Sequence, residues 1–124
     1  MNHPRDIEIY VENCPVDKIL SWIETVLGPL GEPLFRTPEV VIYSKNIAVV
    51  ITPCIDSNPS YSSVCFNPGP NAWMSDAECA RQAAKEMGIR VRCDPGKEYT
   101  EVDPGSDVFL EISDNGERLV EWNS

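Results

Sequence analysis

Apolar and polar residues alternate at the start of the chain, in the stretch DIEIYV at residues 6–11. A period of two predicts a strand with its isoleucines and its valine on one face. From Val16 to Leu27 the apolar residues instead recur three and four positions apart, which predicts a helix with one apolar stripe. Gly28 and Pro29 end this helix.

Two more strands are predicted before the midpoint of the chain, and residues 34–36 are either a third, short strand or irregular. Leu34–Arg36 is short and lies between Pro33 and Pro38, which would confine it to the edge of a sheet. Residues 40–43 and 47–52 flank a turn and predict a hairpin. The second strand of the hairpin is apolar throughout, so we expect it to be covered on both faces.

The second half of the chain repeats this order of elements. Residues 61–66 predict a strand, and a capping-box pattern opens a helix over residues 75–87. A strand with alternating polarity follows at residues 89–93. A tight turn with Asn-Gly then joins strands at residues 108–112 and 119–122.

The predicted order of elements is therefore βαβββ in both halves, although their sequences are not alike. We predict a single α+β domain over residues 1–124, made of two modules at 6–52 and 61–122 joined by a loop at 53–60. The modules would form one curved mixed sheet with the helices on its outer face and a cleft within. The alternative is a ferredoxin-like α+β sandwich with extra strands.

Charge narrows the choice of partners. Twenty acidic residues face ten basic ones, which gives a net charge of −10 and a pI near 4.4. This balance disfavours nucleic acids and anionic membranes. It fits a cationic partner, either a small molecule or a basic protein, or it serves solubility alone. Since the N-terminus has no secretory signal and the chain has no long apolar run, we expect a cytoplasmic protein.

The cysteines give little support to catalysis or to a metal centre. Their number is odd, no two form a C-x-x-C pair, and the one histidine is His3; they stand at Cys14, Cys54, Cys65, Cys79 and Cys93. A zinc cage and a base-activated thiol are both disfavoured. We expect no catalytic residue and no cofactor.

Three stretches carry a resemblance to a known family. They are DIEIYVENCPVDKILSWIETVLG at 6–28, SDAECARQAAKEMGIRVRCDPG at 75–96, and SDNGERLVEW at 113–122. Together they resemble the vicinal oxygen chelate superfamily of glyoxalases, extradiol dioxygenases and bleomycin-resistance proteins. This resemblance implies ligand positions at Asp6 or Glu8, at Ser63 and at Glu121, usually His and Glu in metal-dependent members.

Neither module contains a histidine, and one or two carboxylates do not hold a transition metal well. Glu121 and Glu8 are thus weak metal candidates, and the resemblance points to the metal-free binding branch. Glu121 alternates with Val120 and Trp122, so it would face the concave side if those two face the helices. The predicted ligand-binding residues are Glu121, Glu111, Tyr43, Trp73 and Phe66. The alternative is that the carboxylates only keep a strand face solvated.

Three functions follow as hypotheses. The first is a non-catalytic protein, expected as a homodimer, that sequesters a cationic or aromatic small molecule. The second is a small acidic immunity protein that neutralises a basic toxin protein through a loop patch of Glu98, Glu101, Asp103 and Asp107. The third is a metal-dependent lyase or dioxygenase with Glu121 in its site.

Overall fold

The computed structural model describes residues 6–13, 15–36, 39–55, 60–96, 99–103 and 106–122. Two helices and eight strands occur in these ranges. In chain order they are β1 (Ile7–Glu12), α1 (Val16–Leu27), β2 (Leu34–Arg36), β3 (Glu39–Ser44), β4 (Ile47–Ile55), β5 (Tyr61–Asn67), α2 (Asp76–Met87), β6 (Val91–Cys93), β7 (Val108–Ser113) and β8 (Gly116–Glu121).

All eight strands belong to one open sheet with the order β2-β3-β4-β5-β1-β6-β7-β8. The α+β class is confirmed, but every neighbouring pair is antiparallel, so the prediction of a mixed sheet was wrong. The layout of two adjacent βαβββ modules is not confirmed. β5 lies between β4 and β1, so β1 is separated from the other strands of the first predicted module.

The core lies between one face of this sheet and the two helices. The predicted inward face of β1, Ile7, Ile9 and Val11, is buried there. α1 covers it with Ile19, Trp22 and Ile23, and α2 covers it with small residues. The buried small residues of α2 are Ala77, Cys79, Ala80, Ala83 and Ala84. Because these side chains are short, α2 packs close to the sheet.

The start of α2 follows its predicted capping pattern in part. The Ser75 hydroxyl accepts a hydrogen bond from the Glu78 backbone N–H at 3.2 Å. The Glu78 carboxylate accepts from the N–H of Met74, also at 3.2 Å, and not from that of Ser75. Two backbone donors at the helix start are thus satisfied. Gly88 ends the helix in the left-handed region at φ 66°.

The opposite face of the sheet is not covered by either helix, and we call it the open face. Along β4, Val49 and Ile51 are buried in the core, whereas Ala48 and Val50 lie on the open face and are only half-buried. The expectation that β4 is covered on both faces was therefore wrong. An apolar run alone does not show whether one face of a strand is covered or both.

The sheet ends in two different edges. β2 forms one edge with three residues, as its flanking prolines predicted, and β8 forms the other with six. Within the described ranges, neither helix is long and apolar enough to span a membrane.

Candidate functional site

The middle of the open face carries a buried ion pair. Arg92 on β6 and Glu111 on β7 are direct neighbours across the ladder, and their side chains are 5% and 3% exposed. The guanidinium nitrogens of Arg92 lie 3.1 Å from Glu111 Oε1, and Arg118 Nε on β8 lies 2.8 Å from Oε2. Two arginines therefore hydrogen-bond to the carboxylate of Glu111, and Arg90 Nε lies 3.9 Å from the same Oε2.

These contacts determine the ionisation of Glu111. Burial alone would raise the pKa of its carboxyl group, but hydrogen bonds from Arg118 and Arg92 and the charges of both outweigh burial. The net pKa is held below the usual value of a glutamate. Glu111 is thus a charged carboxylate whose oxygens are already engaged within the protein.

Aromatic rings close over this ion pair. Trp122, just after β8, lies with its ring centroid 5.1 Å from Tyr10, 5.3 Å from Tyr61 and 5.0 Å from Phe109. The Arg92 guanidinium carbon is 4.7 Å from the Tyr61 ring centroid and 5.3 Å from that of Trp122. The cation is therefore held by a carboxylate and by two π faces, an arrangement that stabilises the sheet.

A second polar group on the open face surrounds Glu8 of β1. Ser63 Oγ donates a hydrogen bond to Glu8 Oε2 at 2.9 Å, and the Tyr10 hydroxyl donates to Oε1 at 3.0 Å. Burial, together with the charge of Glu8, raises the pKa of Tyr10 well above its ordinary value. Glu8 and Ser63, two positions that the family resemblance singled out, do meet, but as a hydrogen-bonded pair.

The described thiols are protonated at neutral pH. Burial, followed by the charge of Glu8, raises the pKa of Cys65 to about 11. Burial, followed by the charge of Asp76, raises that of Cys93 to about 12 and that of Cys79 well above its ordinary value. Since the thiolate is the nucleophile, these three cysteines are poorly suited to attack. Cys14 and the side chain of Cys54 lie outside the described parts.

Glu121 lies away from this cluster. The register places Phe109 opposite Val120 and Leu110 opposite Leu119, and Leu110 is in the core. Val120 is therefore on the open face, and Glu121, one residue on, is on the helix side. Glu121 and Glu111 lie on opposite faces of the sheet, so the structure does not bring the two predicted carboxylates together.

The other predicted ligand residues are also divided between the two faces. Tyr43 is half-exposed on the open face of β3. Phe66 and Trp73 are buried in the core on the helix side, where their rings contact each other at 5.1 Å. Trp73, predicted as a ligand-binding residue, is thus packed in the core.

Glu121 does meet part of the predicted acidic patch. A depression of about 440 Å³ beside the end of β8 is lined by Glu101, Val102, Asp103, Ser106, Val108, Leu119, Val120 and Glu121. Asp107, between the loop and β7, is exposed as well, whereas Glu98 lies outside the described residues. The depression combines three carboxylates with four apolar residues.

A second acidic depression lies at the same end of the sheet. It measures about 320 Å³ and surrounds the start of α2, where Asp6, Asp76, Glu78 and Asp94 line it. Because the pairs are antiparallel, the start of β1, the end of β6, the start of β7 and the end of β8 lie together. We call this region, with both depressions, the acidic end. The described residues that line the two depressions include no lysine or arginine.

The described arginines do not line the depressions of the acidic end and contact glutamates in other parts of the protein. Each arginine whose side chain is described contacts a glutamate: Arg81 contacts Glu117, Arg90 contacts Glu12, and Arg92 and Arg118 contact Glu111. The described arginines thus contact glutamates that do not line either depression, whereas Asp6, Glu101, Asp103 and Glu121 at the acidic end are exposed. Sequence reasoning missed this segregation, since it depends on which strands are neighbours.

The described residues contain no group of three or more His, Cys, Asp or Glu side chains that could hold a metal ion. Glu8 and Glu121, the two weak metal candidates, are on opposite faces of the sheet. Comparison with protein-family models, with curated proteins and with solved structures finds no match for this chain.

Proposed function

We propose that this protein is a non-catalytic binding protein that receives a basic protein at its acidic end. Of the hypotheses formed from the sequence, this is the acidic inhibitor. The observation that carries it is the segregation of charge: seven carboxylates line two depressions to which no described lysine or arginine contributes, while the described arginines contact other glutamates. Such an arrangement attracts a cationic surface and rejects an anionic one.

The proposal for a small cationic or aromatic ligand has less support. It needs Glu121, Glu111 and aromatic residues around one pocket, and these lie on both faces of the sheet. Glu111 already contacts Arg92, Arg118 and Arg90, so a ligand cation would have to displace one of them. Three other statements stay predictions: that the protein is a metal-dependent lyase or dioxygenase, that it belongs to the vicinal oxygen chelate superfamily, and that it forms a homodimer.

The strand order favours the alternative fold prediction. We infer a ferredoxin-like centre, because β4-β5-β1-β6 are adjacent and helices follow β1 and β5, as in a βαββαβ unit. β2 and β3 would be an insertion after α1, and β7 and β8 an extension after β6. In this interpretation the acidic end belongs partly to the extension, which supplies β8 and the loop before β7.

A binding measurement with a defined cationic probe tests the function. The probe is a short fluorescent peptide of alternating lysine and valine, titrated with the protein at about 0.1 M salt, where the screening length is about 10 Å, and followed by fluorescence anisotropy. One triple variant neutralises the depression beside β8: Glu101→Gln, Asp103→Asn and Glu121→Gln. A matched variant removes the same net charge from exposed positions elsewhere: Asp17→Asn, Glu24→Gln and Glu39→Gln.

We expect the first variant to raise the Kd about tenfold, since three exposed ion pairs at roughly 0.5 kcal/mol each amount to that factor. The matched variant should change the Kd by less than about threefold, because none of its three positions lines either depression and exposed charges further apart than the screening length are largely screened. Equal effects of the two variants would show attraction to net charge alone and would contradict the proposal, as would the absence of binding to the unmodified protein.

A further inference from the structure

The two edges of the sheet differ in what they offer to another strand. β2 has three residues and directly follows Pro33, whereas β8 has six residues and no proline. Short edges and prolines protect a sheet from further pairing, and a longer edge without them accepts an added strand. Within the described part of the chain, β8 has β7 on one side and no strand on the other.

The pairing of β8 with β7 determines which N–H and C=O groups of β8 point towards β7 and which point away from it. The Trp122 N–H donates to the Asp107 carbonyl at 3.0 Å, and this pair belongs to the series that also joins Phe109 to Val120 and Glu111 to Arg118. In an antiparallel ladder, hydrogen-bonded pairs alternate with pairs that do not exchange bonds. Glu117 and Leu119 therefore direct their N–H and C=O groups away from β7.

The side chains along this edge select the occupant. Glu117, Leu119 and Glu121 all lie on the helix side of β8, and the depression with Glu101 and Asp103 lies next to them. A second copy of β8 paired antiparallel about Leu119 would set Glu117, which Arg81 already contacts, opposite Glu121, and would bring no basic side chain to the helix side of this edge. A strand with basic side chains on that side would meet Glu121 and, in the adjoining depression, Glu101 and Asp103, whereas Glu117 already contacts Arg81.

We propose that the basic partner contributes an extended segment that pairs antiparallel with β8 as an added strand, with its basic side chains on the helix side. This inference rests on the proposed function and adds the mode of binding to it. Backbone hydrogen bonds to Glu117 and Leu119 hold the segment, and its cationic residues reach the depression beside Glu121. Strand addition of this kind takes affinity from the main chain and specificity from alternate side chains.

Backbone methylation of the lysine–valine peptide tests whether the peptide binds by strand addition to β8. Residues that bond to β8 share the helix side with Glu117 and Leu119, so the lysine N–H groups face β8 and the valine N–H groups face away. N-methylation of the lysines should therefore raise the Kd at least about tenfold, since several backbone hydrogen bonds are lost together. N-methylation of the valines should leave the Kd within about twofold of that of the parent peptide.

A pair of protein variants tests the same edge from the other side. Leu119→Pro removes an outward N–H and places a ring where the added strand would lie, while the bonds to β7 are kept. Leu119→Ala shortens the same side chain but keeps the N–H, and it serves as the control. We expect the proline variant to bind the peptide at least about tenfold more weakly than the alanine variant, with circular dichroism verifying that both are folded.

The outcomes separate this inference from the proposed function. If the parent peptide binds, and methylation of lysines and of valines has the same effect, strand addition is overturned while binding by charge stands. If the parent peptide does not bind, both proposals fail. Should the proline variant not fold, the methylated peptides decide the question with the unmodified protein.

Discussion

Replacing Glu111 with alanine is expected to lower the free energy of unfolding by about 3–5 kcal/mol, because it leaves the buried Arg92 cation without its counter-charge. Arg92 and Glu111 have side chains 5% and 3% exposed, so water does not take over the role of the missing carboxylate. Such a loss is a large part of the stability of a domain of this size, typically about 5–15 kcal/mol. Urea denaturation of the two proteins measures it.

Arg118→Ala is the matched control for this variant. Arg118 also bonds to Glu111, but its side chain is 70% exposed, so we expect a cost of only about 0–1 kcal/mol. Glu111 keeps Arg92 in that variant. If the two substitutions cost the same, the buried ion pair is not what stabilises this part of the sheet.

Acid should remove the difference between the wild-type protein and Glu111→Gln. The arginines hold the pKa of Glu111 below its unfolded value, so its contribution is complete above about pH 4.3 and is lost as the pH falls through the folded pKa. Glutamine does not titrate, whereas Glu117, whose pKa is lowered by its hydrogen bond from Arg81, is present in both proteins. The unfolding free energies of the two proteins should therefore differ near pH 7 and approach each other near pH 3. A constant gap would contradict this account.

Replacing Trp73 with alanine is expected to cost about 3–5 kcal/mol through the cavity it leaves in the core. The Trp73 ring is stacked on Trp22 at 5.9 Å and meets the edge of Phe66 at 5.1 Å. Its Nε1 donates to Gln82 Oε1 at 2.7 Å, so the polar end of the ring is also satisfied. Thermal and urea unfolding measure the loss.

Met74 provides the control next in sequence. It is 83% exposed, and Met74→Ala should change the unfolding free energy by no more than about 0.5 kcal/mol. If Trp73→Ala were as mild as Met74→Ala, Trp73 would be a surface residue over a cleft and not a part of the core.

The local elements could be predicted from the sequence because local rules determine them. The alternation in β1 identified its buried face, Ser75 marked the start of α2, and the Asn-Gly turn joined β7 to β8. The prolines around residues 34–36 placed β2 at an edge. Each of these features depends on residues within a few positions of one another.

The order of the strands could not be predicted in this way. β1 and β5 both carry apolar residues suited to a central strand, and nothing local states that β5 pairs with both β4 and β1. Pairing is a choice among long-range contacts, and several choices bury similar apolar area. The two halves of the chain repeat a pattern of elements, but this repeat did not determine which strands are neighbours.

The candidate site depended on that missing order. Alternation correctly predicted that Glu121 and Val120 point to different faces of the sheet, as do Glu111 and Leu110. Leu119 and Val120 are both apolar, however, so the sequence did not show which face of β8 is buried. The contact of Glu111 with Arg92 and Arg118 needed the register of three strands. Charge counting indicated a cationic partner without locating the carboxylates that would meet it.

Nuclear magnetic resonance tests the binding surface most directly. Backbone amide shifts of the labelled protein would be followed during titration with the lysine–valine peptide. We predict that shifts concentrate at Glu117, Leu119 and Glu121 on β8 and at Glu101 and Asp103 in the adjoining loop, while the open face stays unchanged. Shifts concentrated instead at Tyr10, Ser63 and Arg92 would place the ligand on the open face and contradict binding at the acidic end.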